Sequence, residues 1–298
     1  MVSRAFGLSL RFQARPPGAW EAKAPSEPTL EMRLSSRREI AESWSGGGTI
    51  GWEATIDGDR FVAERGRGGD HRFRHGEGSL CHLSADGAVL LCALGHERDP
   101  LAWRVVLDSV LFSVALIHGY EALHAGAVGT AAGALAIAAG SGGGKSTLLA
   151  ELLGDDCSLL ADDIVVLESG GAAAPLAHPG APLMTVPAGI DPLPGPAIAS
   201  IGAETWVAVP TPREAVPLTG LVVLNRAPGL ATGLRRVEDP LLVPMRSLLR
   251  FPQSSERERT RFEIAAEIAA EVPVWELRAD PEVTPAGLAD LVRARLQP

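Results

Sequence analysis

Three groups of reactive side chains stand close together in an otherwise apolar stretch: His124, the run Ala139-Gly-Ser-Gly-Gly-Gly-Lys-Ser146, and the acidic pair Asp162-Asp163. The central run has the composition of a phosphate cradle. Glycines let backbone amides converge on phosphate oxygens, a following helix adds its positive end, a lysine reaches the outer phosphates, and a hydroxyl ligates Mg2+. Gly140, Ser141, Gly142, Gly143, Gly144, Lys145, Ser146 and Thr147 are therefore the expected nucleotide-binding residues, with Lys145 also acting on the transferred group. Ala139 stands where a glycine is usual, a replacement that the wider form of the motif accepts.

The acidic pair follows the loop by one strand-helix unit, where a protein with such a loop places a second, metal-organising carboxylate. Adjacent residues of a strand point to opposite faces, so the two acids divide the work unless the strand breaks there. A carboxylate beside the transferred phosphoryl group can accept the proton of an incoming hydroxyl. No Asn-Lys-x-Asp tetrapeptide is present, and Asn225-Arg226 is no substitute, which argues against a guanine-specific switch. His124 alone reads as a core residue of an apolar strand.

The elements needed to position these groups are legible around them. A strand over 123–128, a turn over 129–133 and a strand over 134–138 lead into the loop. Lys145 opens a helix through 153, and strands over 158–161 and 164–167 flank the acidic pair. Upstream, Asp99-Pro100 reads as a helix start, and the helix runs to about 121. The domain boundary is placed just before it. Residues 1–98 form a β-rich module and 99–298 an α/β domain carrying the loop. The module shows strands at 1–13 and 49–56, turns at Asp57-Gly58 and Asp86-Gly87, and a Pro-rich loop containing Pro16, Pro17, Pro25 and Pro28. Downstream come a Pro-rich connection over 175–217, a strand at 221–224, a helix over 256–270, a strand at 272–277 and a closing helix.

Among 298 residues, 46% are hydrophobic and 21% charged, an ordinary globular composition. The net charge of -9 disfavours a nucleic-acid or membrane-surface partner. The apolar run 101–120 contains Arg104, Asp108 and His118, which suits a buried helix better than a membrane span. Cys81, Cys92 and Cys157 lack metal-site or disulfide spacing, so a reducing, cytoplasmic setting is expected. His71, His75 and His82 read as surface histidines, and Arg65, Arg67, Arg72 and Arg74 as a solvated basic stretch.

From His124 to Leu167 the chain resembles the HPr kinase/phosphorylase family of bacterial protein serine kinases. There a His-x-x-x-Val strand, a loop ending Gly-Lys-Ser and an Asp-Asp pair before apolar residues occur in this order. The resemblance implies a fold of the HPr kinase/PEP carboxykinase-like type behind a small β-rich N-terminal domain. It implies ATP and Mg2+ as cofactors, Asp162 as the base that deprotonates a substrate serine, Asp163 as its neighbour and, with Ser146, a metal ligand, and His124 lining the site. Weaker similarity at His178-Pro179, Pro217-Leu218 and 272–277 points to kinases of peptide natural-product pathways, including lasso-peptide kinases. The implied partner is a peptide or protein with an acceptor serine. A kinase for a small hydroxylated metabolite and a non-catalytic nucleotide sensor are the alternatives. The family's hexamers make a homo-oligomer an expectation. Two departures stand out. The Glu-x-Arg-Gly segment that supplies a further metal ligand has no counterpart, leaving Asp191 and Glu204 as substitutes. The basic loop of the phosphorylase reaction has only Arg213 as its nearest match, so phosphorylase activity is not expected.

Overall fold

The computed structural model describes all residues except 21–28, 57, 96–99, 155, 252–253 and 297–298. Pro25, Pro28, Asp57 and the Asp99 helix cap therefore lie outside the described residues. The chain is mixed α/β, with most of its regular structure in strands of several sheets. It divides into two compact units, Met1–Tyr120 with Arg250–Glu258, and Glu121–Leu249 with Arg259–Pro298.

The first unit carries strands β1 (Val2–Ala5), β2 (Leu8–Phe12), β3 (Leu30–Leu34), β4 (Thr49–Ile56), β5 (Asp59–Arg65), β6 (His71–His75), β7 (Ser79–Leu83) and β8 (Val89–Leu94). They form one eight-stranded sheet in the order β1-β2-β3-β8-β7-β6-β5-β4. The hairpin expected at Asp86-Gly87 is present, with Leu83 opposite Leu90. Helix α1 (Arg37–Ser43) was not foreseen, although Ser36 caps it through the Glu39 amide, a Ser-x-x-Glu signature open to sequence reading.

The 100–117 segment is helical throughout: α2 (Pro100–Arg104), π-helical turns over Val105–Val110 and α3 (Leu111–Ile117). It is long and apolar enough to cross a membrane by length and composition, and 72% of it is buried. This helix belongs to the first unit. The compact units divide at 120/121, after this helix, whereas the sequence reading set the boundary before it, at 98/99.

The three histidines are corrected, since all are buried. His82 Nε2 lies 2.9 Å from Asp70, which also accepts from the Ser45 amide and hydroxyl, and His75 Nε2 meets the Ile56 carbonyl at 2.8 Å. Arg72 and Arg74 of β6 are held by Glu64 and Arg72 stacks on Trp44, while Arg65 ends β5 and Arg67 lies in the turn between the two strands.

The second unit contains β9 (Glu121–His124), β10 (Gly126–Thr130), β11 (Gly133–Ala139), α4 (Lys145–Leu152), β12 (Ser158–Ala161), β13 (Ile164–Glu168), β14 (Leu176–His178), β15 (Leu183–Pro187), β16 (Ala197–Ile201), β17 (Glu204–Ala208), β18 (Val216–Arg226), β19 (Gly233–Arg236), α5 (Leu242–Ser247), α6 (Ser255–Glu271), β20 (Val274–Ala279) and α7 (Pro285–Leu296). The first residues of α6 fall in the other unit.

Strands run in the order β12-β10-β11-β18, and β18 continues into a parallel pairing with β20, which β19 closes. The first residues of β18 also pair with β14, leading to β13 and β9. One core cluster gathers α4, α7 and one face of β11 and β18 through Ile137, Leu148, Val222 and Leu288. The other gathers α6 and the opposite face through Ala136, Leu221, Ile264 and Ile268. The 175–217 stretch, expected as a connection, holds β14 and a separate sheet β15-β17-β16. Its prolines sit mainly at strand ends and between strands, where a missing amide disrupts no ladder.

Candidate functional site

β11 ends at Ala139 and α4 begins at Lys145, so the glycine-rich run is the turn between strand and helix. Gly142 and Gly144 have φ of 70° and 92°, conformations that side chains other than glycine rarely adopt. The Gly143 amide donates to the Gly140 carbonyl at 2.9 Å, closing the turn. A Cβ on Gly143 would sit 2.8 Å from that oxygen, while Cβ atoms on Gly140 or Gly142 would meet nothing within 4 Å. The loop is thus tight at its base and open at its apex. Gly144 is the N-cap and has no side chain to occupy the first amides of α4, which leaves them for an anion.

Helix α4 is anchored by burial of Leu148, Leu149 and Leu152. Its first residue, Lys145, keeps only 11% of its side chain exposed, and its ammonium contacts Asp163 Oδ1. His124 Nε2 lies 3.4 Å from the same oxygen. Burial draws the Lys145 amine below its ordinary range, opposed by the negative charge of Asp162. Burial also lowers His124, and the Lys145 charge adds to the effect, which favours the neutral imidazole. A cation, a carboxylate and an imidazole thus converge at the mouth of the loop.

The acidic pair splits. Residues 162–163 are a bend between β12 and β13, so the strand does break there. Asp162 turns inward and accepts the Thr185 amide at 2.8 Å, while Asp163 is 56% exposed and turns to the loop. Asp163, expected as the neighbour, is the carboxylate that meets both Lys145 and His124.

Opposite the bend, His124 ends β9, and after Ala125 the chain resumes as β10 at Gly126. The single strand expected over 123–128 is therefore two, because β9 pairs with β13 whereas β10 pairs with β11 and β12. Sequence reasoning missed Gly126. A Cβ there would lie 2.2 Å from both the Asp162 carbonyl oxygen and Leu149 Cδ1, so only glycine lets β10 pass between the acidic bend and α4. Its place two residues after His124 was the available signal.

Ser146 and Thr147 occupy the first turn of α4 beside Lys145, where a hydroxyl can face a bound phosphate and its metal. Among the described residues no group of three or more His, Cys, Asp or Glu could hold a metal ion by itself. Asp191, before the cis bond to Pro192, and Glu204, which opens β17 opposite Pro187, therefore do not assemble with the acidic pair into a metal cluster. Mg2+ commonly takes one or two protein ligands and completes its shell with phosphates and water, so the residues present fit it.

No protein-family model matches the chain, and no curated protein matches it. Among solved structures, the chain is similar to that of the Hpr(Ser) kinase/phosphatase from Coxiella burnetii. The identity is 12% and the TM-score 0.32, covering 59% of this chain and 95% of that one.

Proposed function

We propose that the chain is an ATP- and Mg2+-dependent kinase that transfers a phosphoryl group to a serine hydroxyl of a peptide or protein. The observation that carries this reading is the meeting of Lys145, Asp163 and His124 at the mouth of the glycine loop. A loop serving only to sense nucleotide has no need of an accessible carboxylate beside the lysine that grips the outer phosphates.

In the proposed reaction the amides of the 140–146 turn and Lys145 hold the triphosphate. Ser146 would hold Mg2+, which when bound neutralises charge on the phosphate oxygens. Asp163 accepts the proton of the serine hydroxyl as its oxygen bonds to the terminal phosphorus. The bond to the bridging oxygen breaks, giving ADP and phosphoserine. His124, kept neutral, can hydrogen-bond Asp163 or the acceptor without adding charge. Asp162, assigned the base on resemblance, fixes the bend by holding the Thr185 amide.

Transfer of labelled phosphate from ATP to serine-containing peptides tests the reading, with a C-terminal serine of a ribosomal natural-product precursor as the first acceptor. Free serine and other hydroxylated metabolites form the comparison set. Phosphopeptide formation that depends on residues remote from the hydroxyl supports a peptide kinase. Turnover of free amino acids alone would move the assignment to a metabolite kinase. Nucleotide binding with no phosphate added to any acceptor would leave a nucleotide sensor.

A further inference from the structure

The strand order gives the site a direction. Lys145 leans towards Asp163 at the end of β12, on one flank of β11. On the proposed reading, the terminal phosphate lies on that flank, and the rest of the donor must extend across the loop towards the other. There β18 and then β20 run parallel to β11, with Leu224 in register with Ala139.

The last residue of β18 is Arg226. Its Nη2 donates to the carbonyls of Pro281 at 2.6 Å and Val283 at 2.8 Å, in the connection between β20 and α7. The connection is itself fixed, since Asp280 accepts the amides of Gly229 at 2.7 Å and Glu282 at 3.0 Å. Arg226 Nη1 lies 3.3 Å from where a Cβ of Gly144 would stand. Neither Nη1 nor Nε has a hydrogen-bond partner among the described residues. The nearby Asp280 carboxylate is held low in pKa first by the backbone amides it accepts and last by the charge of Arg226. A guanidinium pinned by one nitrogen, with Nη1 beside the N-cap of the glycine-rich turn, is preorganised for an anion.

We propose that Arg226 is a donor-binding residue that hydrogen-bonds an inner phosphate of the nucleotide, on the side of the loop away from Asp163. The inference rests on the reading of the loop as a nucleotide site. It assigns Arg226 to affinity, whereas Asp163 serves the chemical step.

Calorimetric titration of ADP and ATP into the full chain and into Arg226→Gln and Arg226→Lys tests it, with melting temperatures recorded without nucleotide. Arg226→Gln should bind ADP and ATP each about tenfold to a hundredfold more weakly, as expected for loss of a charge-assisted hydrogen bond. Its melting temperature should fall modestly, because the Pro281 and Val283 carbonyls lose their donor, and Arg226→Lys should recover part of the affinity. In turnover, KM for ATP should rise with kcat nearly constant. ADP affinity in Arg226→Gln within about threefold of the parent would overturn the proposal. If that variant fails to fold, phenylglyoxal modification of the parent decides, because bound ADP should protect Arg226 and equal labelling with and without saturating ADP would refute the contact. A parent chain that binds neither nucleotide would instead overturn the reading of the loop itself.

Discussion

Replacing each acid of the 162–163 bend by alanine separates the roles that the geometry assigns. In the nucleotide-free chain, Asp163 holds Lys145, and a bound phosphate must compete for that ammonium. Asp163 is more than half exposed, so the pair is screened and its rupture costs no more than about 1 kcal/mol. Asp163→Ala should therefore bind ADP as tightly as the parent or up to about fivefold more tightly. Its transfer rate should nevertheless fall by about 10² to 10⁴, the usual contribution of a positioned general base. Asp162→Ala removes the acceptor of the Thr185 amide and should cost about 1–3 kcal/mol of stability. Labelled-phosphate transfer, ADP titration and chemical denaturation of the two variants measure these effects. An Asp163→Ala chain that keeps transfer within about threefold, or one that loses ADP binding together with transfer, would refute the reasoning.

The pH dependence of ADP affinity follows from Lys145. Because burial lowers its pKa, the charged form is lost at a lower pH than for an ordinary lysine, so affinity should weaken with rising pH before the ordinary lysine range is reached. Lys145→Arg, in which the charge persists, should flatten that profile in titrations against pH. His71 is buried and its pKa is lowered to about 4, by burial first and then by Arg65, with Asp70 opposing and His82 adding. The unfolded chain then binds the extra proton between about pH 6.5 and 4, so stability should fall with falling pH across that window. His71→Gln should reduce the slope of melting temperature against pH. Gly126→Ala should destabilise by about 1–3 kcal/mol, as overpacking does, and should slow transfer because the obstructing atom is the Asp162 carbonyl. A full-rate, fully stable Gly126→Ala chain would show that the bend does not depend on that close approach.

The glycine-rich turn between strand and helix was legible because its requirements are local. Turn, glycines, lysine and hydroxyl lie within eight residues, between a strand and a helix that the apolar pattern reveals. The placement of His124 and Asp163 was not local. Periodicity showed apolar strands on both sides of each residue but could not show that 123–128 changes partners at Ala125. The alternation rule correctly sent the two acids apart, yet it could not say which faced the loop, since that depends on the Thr185 amide from a distant strand. The sheet β15-β17-β16 was hidden by prolines that read as connection. The buried histidines were misread because flanking arginines suggested solvent, whereas Glu64 and Trp44 absorb the basic side chains. A helix start marks an element and does not say which core receives it, and the 100–117 helix falls in the first compact unit.

These pieces share one cause. His124 is paired with Ile164, and three residues further along the same two chain segments Ala127 is paired with Ala161. Between those rungs lie Ala125-Gly126 on one segment and Asp162-Asp163 on the other, both outside the β9–β13 and β10–β12 ladders. Each segment therefore leaves one ladder and joins another of the same sheet at the same level, and the two departures face each other. A strand leaving its ladder frees side chains from strict alternation, which is how Asp163 turns to the loop while Asp162 turns to Thr185. Without a Cβ at Gly126, the facing segment can approach the Asp162 backbone closely enough to hold the bend. The carboxylate at the mouth of the loop is thus positioned by two matched strand breaks, and a change that straightened either would withdraw Asp163 from Lys145 while leaving the glycine-rich turn itself in place.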